Sequence, residues 1–322
     1  MKKIRVAVIG AGYLGKLHAE KYALIPQAEL IGISDITRVR AEELASRLKT
    51  EPYSSYRDLM GRVDAVSVVT PTETHSSIAF DFLSNGVDVL VEKPITISIE
   101  EAGMLVKEAK RTKRVLQVGH LERFNAAVVE AKKRIKNPMF IEAERLSPFP
   151  NRSTDVDVVL DVMIHDIDIA LDLVKSPVLS VDAIGSPVLT DKIDMASARL
   201  RFKNGAVADI IASRVSKERV RKARIFQSNE YISIDYAGQS ISITKILPGA
   251  HGDVTRMTEE RPELQKADQI LEELKAFISA SMQRTRPPVT GENGLNALKV
   301  AHMVQNSINS SLANLRRKGR DR

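Results

Sequence analysis

The sequence predicts an α/β chain in two parts: a parallel sheet flanked by helices, then an α+β region built on a large, mostly antiparallel sheet. Three observations predict this. Short, nearly continuous apolar runs alternate with helix-length stretches up to about residue 120, as buried parallel strands and their crossover helices do. From Val178 to Ile246 the apolar period becomes two, the mark of half-buried strands. The 322 residues leave room for two domains. The expected division is 1–120 for the first and 121–322 for the second, with the last helix packing back on the first.

The elements follow in order. Ile4–Ile9 is a strand, and Tyr13–Ile25 a helix stopped by Pro26. Leu30–Ser34 and Ala65–Thr70 are strands, with a helix over Arg38–Leu48 between them. Glu73–Ser84 is helical and closes on Asn85-Gly86, a good C-terminal stop. Val87–Val91 and Val115–Val118 are strands on either side of a helix at Ile99–Arg111. Leu121–Ile135 reads as one basic amphipathic helix, and Met139–Glu144 as a strand. Pro148 and Pro150 mark a loop before a helix at Val158–Val174. In the period-two region Ala196, Ala198, Leu200 and Phe202 share a face, as do Ile232, Ile234 and Tyr236; Asn204-Gly205 is a hairpin turn. Two helices end the chain, one carrying Ile270, Leu271, Leu274, Phe277 and Ile278, the other over Asn293–Leu315.

Composition narrows the function classes. There is no cysteine, so disulfides, cysteine nucleophiles and thiolate metal sites are excluded, and a reducing, cytoplasmic setting fits. No apolar run is long enough to span a membrane. Of the net charge of +7, the tail Arg316–Arg322 supplies five cations against one anion, so the body is only mildly basic. With no nucleic-acid-binding motif present, the tail reads as a frayed, solvated end.

Gly10-Ala11-Gly12-Tyr13-Leu14-Gly15 leaves the first strand and opens the first helix. Gly10 permits the tight turn, Gly12 the backbone approach to a pyrophosphate, and Gly15 the close packing of helix on strand. Asp35 ends the second strand, where its carboxylate can bind both ribose hydroxyls. This is a dinucleotide-binding Rossmann pattern. Asp35 favours NAD over NADP because it would repel a 2′-phosphate, although Arg38 is near enough to receive one. Thr70 and Pro71 follow the third strand and line the same crevice, with His75 close by. Glu92 and Lys93 end the fourth strand, which points Lys93 toward the nicotinamide.

Asp161 and His165 lie four apart on one helix face, with Asp168 three further on. A histidine titrating near neutrality suits removal of a hydroxyl proton; a lysine can stabilise the alkoxide, and Asp161 can orient the imidazole. No metal is expected, since these side chains alone are too few convergent ligands.

Together these residues resemble the glucose–fructose oxidoreductase / inositol dehydrogenase (Gfo/Idh/MocA) family along essentially the whole chain. The resemblance implies that Lys93, Asp161 and His165 form the catalytic set, with His165 as acid/base. It also implies a homodimer or homotetramer formed through the second sheet. The stretches Gly119–Asn125, Ser147–Arg152 and Asp161–Asp168 resemble the branch that oxidises the 3-hydroxyl of UDP-N-acetylglucosamine with NAD, ahead of diamino-sugar synthesis for lipid A or surface polysaccharide. On that reading Arg145 and Arg152 are candidate clamps for a diphosphate, with Arg123, Asn125 and Arg214 as further substrate contacts. Two alternatives stay open. One is a free-sugar or inositol-type dehydrogenase using the same residues; the other is a non-catalytic dinucleotide-sensing regulator, against which Lys93, Asp161 and His165 argue.

Overall fold

The computed structural model of the chain describes residues 3–149, 156–247 and 256–320. They form two compact units, residues 1–124 with 268–298, and residues 125–267 with 299–322.

The first unit is built on six strands: β1 (Ile4–Ile9), β2 (Ala28–Ser34), β3 (Glu51–Tyr53), β4 (Ala65–Val68), β5 (Asp88–Glu92) and β6 (Leu116–Gly119). All pair in parallel, in the order β3-β2-β1-β4-β5-β6. The order reverses between β1 and β4, which opens a crevice beyond their carboxyl ends. The crossovers are α1 (Tyr13–Tyr22), α2 (Arg38–Leu48), α3 (Thr72–Ser84) and α4 (Ile99–Thr112). α4 starts on a capping box in which Ser98 and Glu101 bond each other's backbone N–H. The short strand β3 has no apolar run to announce it; Glu51-Pro52-Tyr53 is an edge strand, where a proline is tolerated. α1 ends at Tyr22, three residues short of the expected Ile25, with Ala23 as its cap.

The assignment of all of 121–322 to the second domain needs correction. α7 (Gln269–Gln283) belongs to the first unit, and so does the start of α8 (Gly291–Arg320). The reason is apolar: Leu274, Phe277 and Ile278 of α7 join one buried cluster with Val6 and Val8 of β1 and with Ala19 and Tyr22 of α1. Leu121–Ile135 is also not one helix. A 3-10 turn at Leu121–Phe124 is followed by α5 (Ala126–Arg134), whose N-cap is Asn125.

The second unit holds eight strands: β7 (Phe140–Leu146), β8 (Val178–Ser186), β9 (Met195–Phe202), β10 (Val207–Ser213), β11 (Val220–Gln227), β12 (Glu230–Asp235), β13 (Ser240–Leu247) and β14 (Arg256–Glu260). Their order is β14-β13-β12-β11-β7-β10-β9-β8. Among the described residues of this sheet, only β7 and β10 pair in parallel. Asn204-Gly205 turns β9 into β10, with Gly205 at φ +90°. Alternation decides which face is covered. Ile141, Ala143, Ile210, Ile225 and Ile232 are buried on one face, and α5 and α6 (Ile164–Val174) pack on this sheet. Lys222–Glu144, Arg224–Glu142 and Arg199–Asp209 form cross-strand ion pairs at 2.6–2.8 Å. Among the described residues no helix is long and apolar enough to cross a membrane.

Phe277 is fully buried in the β1 cluster. Phe277→Ala is expected to cost about 3–5 kcal/mol in urea unfolding followed by circular dichroism. A loss under about 1 kcal/mol would mean that α7 is peripheral to that core.

Candidate active site

The residues expected to hold a dinucleotide converge at the carboxyl ends of β1, β2, β4 and β5. Gly10 has φ +102°, and a Cβ there would lie 2.4 Å from the Val69 carbonyl oxygen. At Gly15 a Cβ would lie 1.8 Å from the Gly10 carbonyl oxygen, so only glycine lets α1 sit this close to the turn. Beside Gly12 a Cβ would meet nothing within 4 Å, and no side chain caps the N-terminus of α1. That leaves room and a favourable dipole for a pyrophosphate. The Asp35 carboxylate accepts the Ala11 and Thr37 backbone N–H groups, both at 2.7 Å, and so ties the turn after β1 to the turn after β2. Tyr13 and Leu14 are exposed on the first turn of α1.

His75 is a strut between two of these loops. Its Nδ1 lies 2.9 Å from the Pro94 carbonyl oxygen and its Nε2 2.9 Å from that of Thr70. Burial lowers its pKa, against the opposing pull of the two carbonyls and of Glu92. It is 1% exposed, which suits a part that fixes the Thr70-Pro71 loop and the Lys93-Pro94 loop in relation to each other. Lys93 follows β5 half-buried, and its N–H donates to Glu92 Oε2 at 3.1 Å. Glu92 Oε1 is 3.2 Å from His18 Nε2. Burial pushes the Glu92 carboxyl up, but His18 and Lys93 outweigh it and leave it lowered.

In the second unit Asp161 lies in a π-helical turn, Val159–Met163, which leads into α6, where His165 is the second residue. Such turns recur at functional sites. The turn interrupts the plain helix that the residue spacing predicts over Val158–Val174. Asp157 holds the turn: its Oδ1 accepts the Val159 and Leu160 N–H groups at 3.0 and 3.1 Å, and its Oδ2 accepts Gln305 Nε2 at 2.7 Å. Asp161 and His165 are half-buried, whereas Asp168 is 1% exposed.

The arginines expected to clamp a diphosphate are placed differently. Arg145 is buried in a bidentate pair with Asp166, at 2.7 and 3.0 Å, with its guanidinium 4.9 Å from the Tyr236 ring centroid. Arg214 is fully buried, bonding Asp194 Oδ1 at 2.8 Å, the Val156 carbonyl at 2.9 Å and Thr190 Oγ1 at 3.2 Å. Burial alone would raise the Asp194 carboxyl; three backbone N–H donors and Arg214 outweigh it and hold it well below the usual range. These contacts commit both guanidinium groups to the protein. Asn125 is buried too: its Oδ1 caps Ala127 N–H at 3.0 Å and its Nδ2 donates to the Tyr236 carbonyl at 2.9 Å. Arg123 is 7% exposed on the 3-10 turn. Arg152 and Pro150 lie outside the described residues.

Sequence reasoning missed His18 and Glu273, which are buried in the first unit. The signal for His18 was its spacing of four from Tyr22 on the buried side of α1. The signal for Glu273 was the second of two adjacent acids, next to Leu274 on the apolar stripe of α7. Among the described residues, His18, Glu92 and Glu273 form the one group with metal-ligand spacing.

A parallel sheet with this switch point, a glycine turn and an acid just after β2 define a dinucleotide-binding domain. Comparison with known proteins agrees. Residues 4–120 match the oxidoreductase family with an NAD-binding Rossmann fold, and residues 128–233 match the GFO/IDH/MocA C-terminal domain. The chain belongs to the GFO/IDH/MocA family of oxidoreductases. It is 37% identical to UDP-N-acetylglucosamine 3-dehydrogenase of Acidithiobacillus ferrooxidans, over 97% of this chain and 99% of that one. A crystal form of that enzyme superposes with a TM-score of 0.90, over 96% of this chain and 99% of its own. The chain is also 33% identical to the NAD-dependent scyllo-inositol 2-dehydrogenase of Bacillus subtilis, over 66% and 68% of the two chains. Myo-inositol 2-dehydrogenase of Thermotoga maritima is 29% identical over 95% and 96%.

Asp35→Ala is expected to weaken NAD binding about tenfold and to relax discrimination against NADP, as measured by fluorescence titration of both cofactors. Unchanged selectivity would mean that the carboxylate serves only the Ala11 and Thr37 N–H groups.

Proposed function

We propose that this chain oxidises the 3-hydroxyl of UDP-N-acetylglucosamine to a ketone with NAD. The observation that carries this reading is the 37% identity to a UDP-N-acetylglucosamine 3-dehydrogenase across nearly the full length of both chains. The first unit would hold NAD at the Gly10–Gly15 turn, Asp35 and the Thr70-Pro71 loop. Bound there, the nicotinamide supplies the hydride acceptor. His165 takes the hydroxyl proton. Asp161 orients the imidazole, and the Lys93 ammonium stabilises negative charge developing on the sugar oxygen. His165 suits the task because an imidazole ring nitrogen can accept a hydroxyl proton and return it. The ketone formed is the substrate that an aminotransferase needs to make a diamino sugar.

We place the reaction in the cytoplasm, in keeping with a chain that lacks cysteine. The eight-stranded sheet is proposed to pair copies into a homodimer or homotetramer. In support, Phe140, Phe226 and Tyr231 form an aromatic row across β7, β11 and β12, with ring centroids 5.8 and 5.4 Å apart. Both buried arginine pairs support a structural role for Arg145 and Arg214 rather than a clamp on the diphosphate.

The test is NADH formation at 340 nm with NAD and UDP-N-acetylglucosamine, with an aminotransferase and amino donor added to remove the ketone. His165→Asn is expected to lower kcat by about 100-fold or more while leaving NAD affinity within about twofold. A signal with scyllo- or myo-inositol and none with the nucleotide sugar would keep the chemistry and overturn the substrate.

A further inference from the structure

At the carboxyl end of β5, between α1 and α7, three ionisable side chains face one another. One donor atom each from His18, Glu92 and Glu273 lie within 4.8 Å of one another. His18 and Glu92 are in contact, with side chains 1% and 12% exposed. Glu273 is fully enclosed, and neither of its carboxyl oxygens has a hydrogen-bond partner. The surroundings are tight: a Cβ on Gly119 would lie 2.9 Å from the Glu92 carboxyl group. Gln117 Nε2 donates to the Glu273 backbone carbonyl at 3.1 Å, which fixes the helix bearing that acid against β6.

A buried carboxylate with no donor is costly, and such a group is neutralised by a proton or a cation. A divalent ion would take a ring nitrogen of His18 as ligand. A metal-bound imidazole almost always donates its other N–H to an acceptor, and His18 Nδ1 has none. A proton makes no such demand. Glu92, with Oε1 at His18 and Oε2 at the Lys93 N–H, is the ionised member that could receive it.

We propose that Glu273 is a neutral carboxylic acid facing the ionised Glu92, and that this pair, completed by His18, positions Lys93. The proposal rests on the reading of Lys93 given under the proposed function. Glu273 acts through Glu92 and is a positioning residue. Burial, reinforced by the charge of Glu92, pushes the Glu273 carboxyl well above its ordinary range, whereas Glu92 is lowered. The two acids are thus driven apart into a donor and an acceptor. Other titratable groups around the pair are Tyr22 of α1, bonded to Ser67 at 2.7 Å; His75 of α3; and Lys93.

The sign of the pH dependence follows. With Glu273 raised in the folded state, its contribution is fully present below the ordinary glutamate value. It is lost as pH climbs toward the folded one, because the unfolded chain ionises first. Glu273→Gln keeps an N–H donor and cannot ionise. Its thermal midpoint is expected to exceed that of the natural protein by about 3–6 °C at pH 8 and by under about 2 °C at pH 5, with NAD affinity within about twofold. Glu273→Met is neutral but donates nothing; it is expected to lower kcat about tenfold with KM for NAD unchanged. A Glu273→Gln protein less stable than the natural one at pH 8 would overturn the proposal. So would a stoichiometric metal ion in the purified natural protein that this variant lacks. The melting and NAD-binding measurements need no sugar, so they stand even if the substrate reading fails. Normal kcat in Glu273→Met, with the substrate confirmed, would remove the positioning role alone.

Discussion

The first unit depends on how closely α1 lies against the turn that leaves β1. A side chain at Gly15 would overlap the Gly10 carbonyl, and one at Gly10 the Val69 carbonyl. Because neither is there, the helix starts at the sheet's carboxyl edge with its positive end facing the crevice. The same approach carries Ala11 N–H to the Asp35 carboxylate, so the turns after β1 and β2 are fixed as one piece. Further along α1 it presses His18 and Tyr22 into the interior, where they reach Glu92 of β5 and Ser67 of β4. One steric allowance thus sets the start of α1, the place of the Asp35 carboxylate and the buried contact between His18 and Glu92.

The second unit is tied differently. Its sheet is covered on one face by apolar alternation, but the helix carrying His165 is anchored by charge. Arg145 of β7 grips Asp166, the residue after His165, through two hydrogen bonds. Arg214 and Asp194 do the same for the strand ends and the segment at 188–190. A buried ion pair adds little net stability compared with apolar packing, while loss of one partner is severe. Geometry is what such a pair supplies: a guanidinium in a bidentate contact leaves the attached backbone few alternatives. The pair thereby fixes the start of α6, where His165 is the second residue.

Much of this was legible in the residues. The parallel strands announce themselves as apolar runs, and the glycine turn and Asp35 specify their own places. The antiparallel region follows from period two, and Asn204-Gly205 marks its hairpin. What was not legible has physical causes. β3 is an edge strand with no apolar requirement. The π turn at Val159–Met163 leaves no mark in hydrophobic spacing, because its extra residue is absorbed locally. α7 belongs to the first unit because Leu274, Phe277 and Ile278 meet Val6 and Val8, a contact across the whole sequence that periodicity cannot assign. Arg145 and Arg214 look like phosphate ligands in sequence because arginine serves both purposes. Burial and a facing aspartate distinguish the two, and both are properties of the fold.

The two sets of buried charges differ in a way that bears on their purpose. Around Asp194 every demand is met: four N–H groups and one hydroxyl converge on a single carboxylate. Such a site is rigid and has one protonation state at any ordinary pH. Around Glu92 the accounting is incomplete, since Glu273 faces it with no donor of its own. A site meant only for rigidity would be served better by apolar residues of similar volume, since a half-satisfied polar group weakens a core. An acid kept in such a place, beside the carboxylate that accepts the Lys93 N–H, makes sense where charge near that lysine has to be limited to a single carboxylate. The first unit therefore combines a carboxyl group with two backbone donors, Asp35, and one that faces Glu92 with none, Glu273. The distinction between them rests on how many donors each carboxyl group is given.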